Sequence, residues 1–176
     1  MHWLLIDVSD LAGKPGTSRI LSAEGSIEGL VSGLGRVDEG EPVHVALALT
    51  SRENGIAASG RAWGRFQLSC SRCLIEYGED FDVDLNEMFY FEPELAEEKD
   101  GYEVKDQTVD LEPMLRDAIV LNIPIKPVHA EDCRGLCAVC GADLNVTNCR
   151  HGEEPVDIRW APLKDLIADE PQKKWR

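Results

Sequence analysis

Between Val43 and Phe91 three separate runs alternate between apolar and other residues. Val43, Val45, Leu47 and Leu49 alternate with His44, Ala46 and Ala48, and Phe66 and Leu68 alternate with Arg65 and Gln67. Farther on, Tyr77, Phe81, Val83, Leu85, Phe89 and Phe91 share one parity, while Asp80, Asp82, Asp84 and Asn86 share the other. Successive side chains of a strand point to opposite faces, so each run predicts a strand with one face buried and one wet. Asn54-Gly55 supplies a turn signal between the first two runs. The expectation is an antiparallel β meander over residues 36–91.

The period then changes. Residues 92–106, EPELAEEKDGYEVKD, keep no apolar repeat and are interrupted by Pro93 and Gly101, which predicts a mobile acidic loop. Asp110 is a helix N-cap type, and Leu111, Met114, Leu115, Ala118 and Ile119 follow at helical spacing with Pro113 in the first turn. This predicts a helix over 110–123, ended by Pro124. Trp160, Leu163, Leu166 and Ile167 predict a shorter helix over 158–169. The fold class expected is α+β: an antiparallel β meander followed by a helix, a cysteine-rich zinc-knuckle segment over 130–152 and a short C-terminal helix. Residues 1–30 are expected as an N-terminal extension packing on a single domain over 31–170.

Composition narrows the function classes. The 176 residues carry 33 acidic and 18 basic side chains, a formal charge of −15, and residues 75–106 alone hold 13 acids against 2 bases. Such a block repels naked nucleic acid, attracts basic proteins, and serves equally as a solvated face. No apolar run reaches the roughly 18 to 20 residues of a membrane helix, and the start MHWLLIDVSDLAG has no basic leader. A soluble cytoplasmic protein is expected, with no membrane partner.

Six cysteines in such a chain point to metal or redox chemistry rather than disulfides. The strongest signal is Cys133-x3-Cys137-x2-Cys140-x8-Cys149, four soft ligands within 17 residues. Thiolates two to four residues apart can face one ion across a tight turn, and Gly141 relieves the backbone just after Cys140. Tetrahedral zinc (Zn) follows, with Cys149 or His151 as fourth ligand. A second pair, Cys70-x2-Cys73, stands between two predicted strands, a normal place for a zinc knuckle. Two arrangements compete: a local site of Cys133, Cys137, Cys140 and Cys149 or His151, and a ribbon joining Cys70 and Cys73 to Cys137 and Cys140. The bland alternative is buried thiols acting as small hydrophobes, and for Cys70 and Cys73 a redox pair. A redox CxxC belongs at a helix start, whereas here a second strand follows.

Other chemistry is thinly represented. The alternating aspartates fail as a calcium loop, because Leu85 occupies the glycine position and Phe91 that of the bidentate glutamate. Gly33-Leu34-Gly35 lacks a third glycine, and no GxSxG, HExxH or GxxxxGK[ST] occurs. His44 and His129 are read as structural. Arg61, Trp63 and Arg65 share one parity on a predicted strand, with cations beside an aromatic platform as single-stranded RNA binding needs. The net charge opposes that reading.

CSRCL at 70–74, DLEPMLRDAIVLNIPIKPVHAEDC at 110–133, GLCAVCGADLN at 135–145 and DIRWAPLKDL at 157–166 together resemble the YceD family, the large ribosomal RNA subunit accumulation proteins of bacteria and plastids. The resemblance covers roughly residues 30–168. It implies a non-enzymatic, cytoplasmic ribosome-biogenesis factor supporting 23S rRNA accumulation or processing. Ile158 departs from the family's DPRW, and Cys149 stands near where some members have histidines. The partner expected is a basic ribosomal protein or a precursor large-subunit particle, docked on the acidic block, with direct rRNA contact through Arg61, Trp63 and Arg65 as an addition. The competing classes are a zinc-dependent interaction module unrelated to ribosomes, and a nuclease or redox enzyme acting on rRNA.

Overall fold

Residues 55–90 form two strands of 15 residues each, longer than the apolar runs that announce them. The computed structural model describes residues 3–33, 35–149, 151 and 159. The chain divides into two units, Met1–Glu131 and Asp132–Arg176. In the first unit, strands β1 (Leu5–Asp7), β2 (Ser18–Gly25), β3 (Gly35–Arg36), β4 (Val43–Arg52), β5 (Gly55–Ser69) and β6 (Glu76–Tyr90) come first. Helix α1 (Pro93–Glu98), strands β7 (Tyr102–Lys105) and β8 (Thr108–Asp110), and helix α2 (Glu112–Asn122) follow.

β5 is the spine. It pairs antiparallel with β6 from Gly55 opposite Tyr90 to Ser69 opposite Glu76, and with β4 along its other edge. The whole sheet runs β1-β8-β7-β6-β5-β4-β2, with β3 added on the end of β5. The parity of β5 that buries Ile56, Ala58, Ala62, Phe66 and Leu68 also carries Gly60 and Gly64. A Cβ at Gly60 would stand 2.0 Å from the Ala46 carbonyl oxygen, and one at Gly64 would stand 2.9 Å from the Phe81 ring. Glycine inside a strand marks such close approaches and lets a sheet bend. The bend brings the two end strands together: Arg19 of β2 donates to the Asp7 carbonyl of β1 at 2.6 Å and to Asp10 at 3.0 Å.

Several expectations are corrected by this architecture. Strands account for 43% and helix for 13% of the described residues, in a curled half-barrel sheet, so the chain is not an α+β meander with helices. The sheet is not purely antiparallel either, because β7 runs parallel to β6. Residues 1–30 are no extension: β2 pairs with β4 over its whole length and β1 closes on β8. Period-two patterning is weak in β2, whose inner positions are only half-buried, and three-residue β1 is too short to show it. Residues 92–106 are not one loop but α1 and β7, anchored by buried Ala96 and by Tyr102 against Phe89 at 5.3 Å. The helix expected over 158–169 lies outside the described residues.

α2 spans Glu112–Asn122 within the expected 110–123. Asp110 Oδ1 accepts the Glu112 N–H at 3.0 Å, which satisfies one orphan donor of the first turn. Met114, Leu115 and Ile119 form its buried stripe, packed chiefly on β6 with Leu47, Leu49, Ile56 and Phe89 in the same core. Among the described residues no helix is long and apolar enough to cross a membrane.

Candidate metal centres

Each Cys-x2-Cys pair closes the same backbone turn. In the first unit the β5–β6 connection has Cys70 N donating to Ile75 O at 2.9 Å and Leu74 N donating back to Cys70 O at 2.9 Å. In the second unit Cys137 N donates to Ala142 O at 2.8 Å and Gly141 N to Cys137 O at 2.9 Å. The residue after the second cysteine is left-handed in both, Leu74 at φ 63° and Gly141 at φ 69°. The turn folds the N–H groups two and three places on back toward the first sulfur. Val139 N lies 3.4 Å from Cys137 Sγ, joined by the Cys140 N–H, and the Arg72 and Cys73 N–H groups do the same for Cys70. N–H groups aimed at sulfur favour a thiolate, the form that binds metal.

The first knuckle meets the segment before Glu131. Ser71 N donates to Pro127 O at 2.8 Å and Arg72 to Glu131 O at 3.0 Å, which brings His129 over the turn. His129 Nδ1 lies 3.4 Å from Cys73 Sγ, and its ring meets Tyr77 edge-on at 6.3 Å. The ligand atoms of Cys70, Cys73 and His129 all fall within 4.8 Å of one another. Burial pushes the Cys70 thiol up, but hydrogen bonds from His129, Cys73 and Arg72 outweigh it and bring the thiol down to about 5.

In the second unit Cys137, Cys140, Cys149 and His151 likewise offer four ligand atoms within 4.8 Å of one another. Cys137 Sγ lies 3.8 Å from His151 Nδ1. An antiparallel bridge between Leu136 and Asp143, with Leu144 N donating to Gly135 O, holds the turn. The Cys140 and Val139 N–H groups, with the Cys149 thiol, bring Cys137 down to about 6. Its hydrogen bond to Cys137 in turn pushes the Cys149 thiol up. Cys133, at the start of this unit, is buried; Asn145 Nδ2 lies 3.5 Å from its sulfur and Asn145 Oδ1 accepts the Arg134 N–H.

The ligand atoms thus gather as neither expected arrangement has them. Cys137, Cys140, Cys149 and His151 stand together, and Cys70 and Cys73 stand with His129, which was read as structural. Only the tertiary fold carries His129 across the 56 residues separating it from Cys73. The sequence did hold one signal, the His129-x3-Cys133 spacing just ahead of the cysteine run. Tetrahedral zinc, with bonds of about 2.3 Å to sulfur and about 2.0 Å to nitrogen, separates those two ligand atoms by about 3.6 Å. The observed 3.4 and 3.8 Å bracket that edge.

Arg61, Trp63 and Arg65 do share the outward face of β5, but β6 places Asp84, Asp82 and Asp80 directly opposite them. Arg65 pairs with Asp80 at 2.6 Å and Arg61 with Asp82 at 3.3 Å. The Arg61 guanidinium lies 5.1 Å from the Trp63 ring, whose other neighbour is the stacked imidazole of His44 at 5.5 Å. Both cations are engaged by carboxylates. The groove they line, about 540 Å³ and including Glu41 and Asp80, is a mixed-charge surface rather than a phosphate track.

Comparison with known proteins gives one family. The family described as "Large ribosomal RNA subunit accumulation protein YceD" matches residues 58–167, a span that holds β6, α2 and both knuckles. An uncharacterised protein of Mycobacterium leprae is 31% identical over 96% of this chain and 80% of its own length. An uncharacterised protein of Mycobacterium tuberculosis is 33% identical over 76% of this chain and 66% of its own. "Large ribosomal RNA subunit accumulation protein YCED homolog 1, chloroplastic" of Arabidopsis thaliana is 31% identical over 77% of this chain and 52% of that protein. No solved structure matches the chain.

Proposed function

Because this chain belongs to the YceD family of large ribosomal RNA subunit accumulation proteins, we propose that it is a non-enzymatic ribosome-biogenesis factor of the cytoplasm. It supports 23S rRNA accumulation or processing by binding a basic ribosomal protein or a precursor large-subunit particle. The observation that carries the binding mode is exposed, unbalanced acidic charge: Glu94, Glu97 and Glu98 are exposed on α1 and Asp84 on β6, beside Asp80 and Asp82, which Arg65 and Arg61 offset. Such a field raises the encounter rate with a cationic partner and repels free RNA.

Zinc is the cofactor of this reading, held by Cys137, Cys140, Cys149 and His151. Four protein donors leave no coordination place for water, so the ion would supply folding free energy, on the order of 10 kcal/mol, and no reaction. That supports a binding module over a hydrolase or oxidoreductase.

The experiment is capture of large-subunit proteins and precursor 23S rRNA by the tagged full chain, with and without nuclease. Retention of ribosomal proteins after nuclease, with association slowed by neutralising Glu94, Glu97 and Glu98 together, is the expected result. Precursor rRNA lost entirely on nuclease treatment, with no ribosomal protein left, would reverse the assignment to direct RNA binding. Absence of both classes would leave only a zinc module unrelated to ribosomes.

A further inference from the structure

We infer that the chain carries a second zinc site, independent of its ribosomal role, in which Cys70, Cys73 and His129 are ligands. The carrying observation is that the turn around Cys70 and Cys73 repeats, hydrogen bond for hydrogen bond, the turn around Cys137 and Cys140. Both cross-turn bonds recur, at 2.9 and 2.9 Å in one and 2.8 and 2.9 Å in the other, and so does the left-handed residue after the second cysteine. Glycine takes that conformation freely, which makes Gly141 unremarkable as a turn residue. Leu74 does not, since a Cβ there crowds the following carbonyl. A leucine held left-handed while its side chain is 62% exposed gains little from packing, so the turn itself is what the position preserves.

The second observation is what stands over the turn. His129 brings its Nδ1 to 3.4 Å from Cys73 Sγ, close to the edge of a zinc tetrahedron, and the Ser71–Pro127 and Arg72–Glu131 hydrogen bonds hold that approach independently of any ion. Cys70 is fully buried and Cys73 nearly so, with N–H groups turned to sulfur as in the other knuckle. A soft, partly dehydrated set of two sulfurs and one imidazole nitrogen selects zinc over calcium or magnesium. The ion would tie the β5–β6 connection to the segment that follows α2.

Elemental analysis of the full chain, purified under reduction without chelator, should give two zinc ions per chain. Cys137→Ser with Cys140→Ser should retain one, and Cys70→Ser with Cys73→Ser should retain one. Since the latter pair is buried and its loss could prevent folding, exposed His129 supplies a second test. His129→Ala should release about one equivalent more readily to a chromophoric chelator, and His129→Cys should restore retention. In the cobalt-substituted chain His129→Cys should shift the visible bands toward an all-sulfur site, a change no merely structural role would produce. One zinc per chain in the native protein overturns the inference, and a Cys70–Cys73 disulfide that then forms once reductant is removed would identify a redox pair instead. Equal zinc retention and unchanged cobalt bands in the His129 variants overturn His129 as a ligand. The ribosomal role stands or falls on the capture experiment alone.

Discussion

Leu74 and Gly141 occupy the same place in two copies of one turn. Each follows the second cysteine of a Cys-x2-Cys pair, each has a positive φ (63° and 69°), and each donates its N–H at 2.9 Å to the carbonyl of the first cysteine. One copy bears the left-handed strain and the other avoids it. Leu74→Gly should therefore stabilise the protein by about 0.5–1 kcal/mol in urea unfolding, because little packing is lost from an exposed side chain. Gly141→Ala should cost about 1 kcal/mol through φ alone, as nothing lies within 4 Å of a Cβ built there. Equal and negligible effects would show that the two turns are not held by the same constraint.

The curl of the sheet depends on β5. Gly60→Val should destabilise by about 3 kcal/mol or more, since a side chain there collides with backbone that cannot move aside. Gly33→Ala, with nothing within 4 Å of its Cβ, is the control, and it should change stability by less than about 0.5 kcal/mol. Denaturant midpoints of both variants, measured in one buffer, check the contrast.

Tyr102 gives a pH signature. Burial first, then its hydrogen bond to Asp117 Oδ2 at 3.0 Å, push the phenol well above its ordinary value. The unfolded chain then ionises Tyr102 at about pH 10, below the folded value. The contribution is fully present below that pH and is lost as pH rises beyond it. Tyr102→Phe should cost about 0.5–1.5 kcal/mol near neutrality and show a smaller loss of stability between about pH 9 and about pH 11. Parallel pH profiles for the two proteins would contradict this.

The paired arginines set a test of RNA contact. Asp80→Asn with Asp82→Asn should release Arg65 and Arg61 from their carboxylates, and the variant should bind single-stranded RNA more tightly than the native chain, with a steeper salt dependence. Fluorescence anisotropy with a short labelled oligonucleotide reads both quantities. The same substitutions should change folding stability by less than about 1 kcal/mol, because both pairs are exposed.

Chelation supplies a last measurement. Stripping zinc from the native chain should lower the thermal midpoint, and added zinc should restore it, because metal that binds only the folded state stabilises it by mass action. Magnesium should not restore it, since it is a poor match for sulfur.

The period-two runs determined by themselves that residues 43–49, 66–68 and 77–91 would be strands, because alternation is a local consequence of backbone geometry and one buried face. The helical stripe of Met114, Leu115 and Ile119 was equally local. The family resemblance, too, was legible in short motifs around the cysteines. What the tertiary structure alone decided is long-range. The places of β1 and β2 at opposite ends of the sheet follow from pairing partners far along the chain and from the bend at glycines, neither of which leaves a periodic mark. Residues 92–106 looked featureless because their anchors, Ala96 and Tyr102, are single side chains that pack on β6 and its neighbours rather than on a repeating face. Arg61 and Arg65 looked available for phosphate until the β5–β6 register put aspartates opposite them. The partition of the cysteines was decided in the same way: spacing gives which residues can ligate, but which sulfur meets which imidazole depends on where β5 ends and where the chain returns after α2.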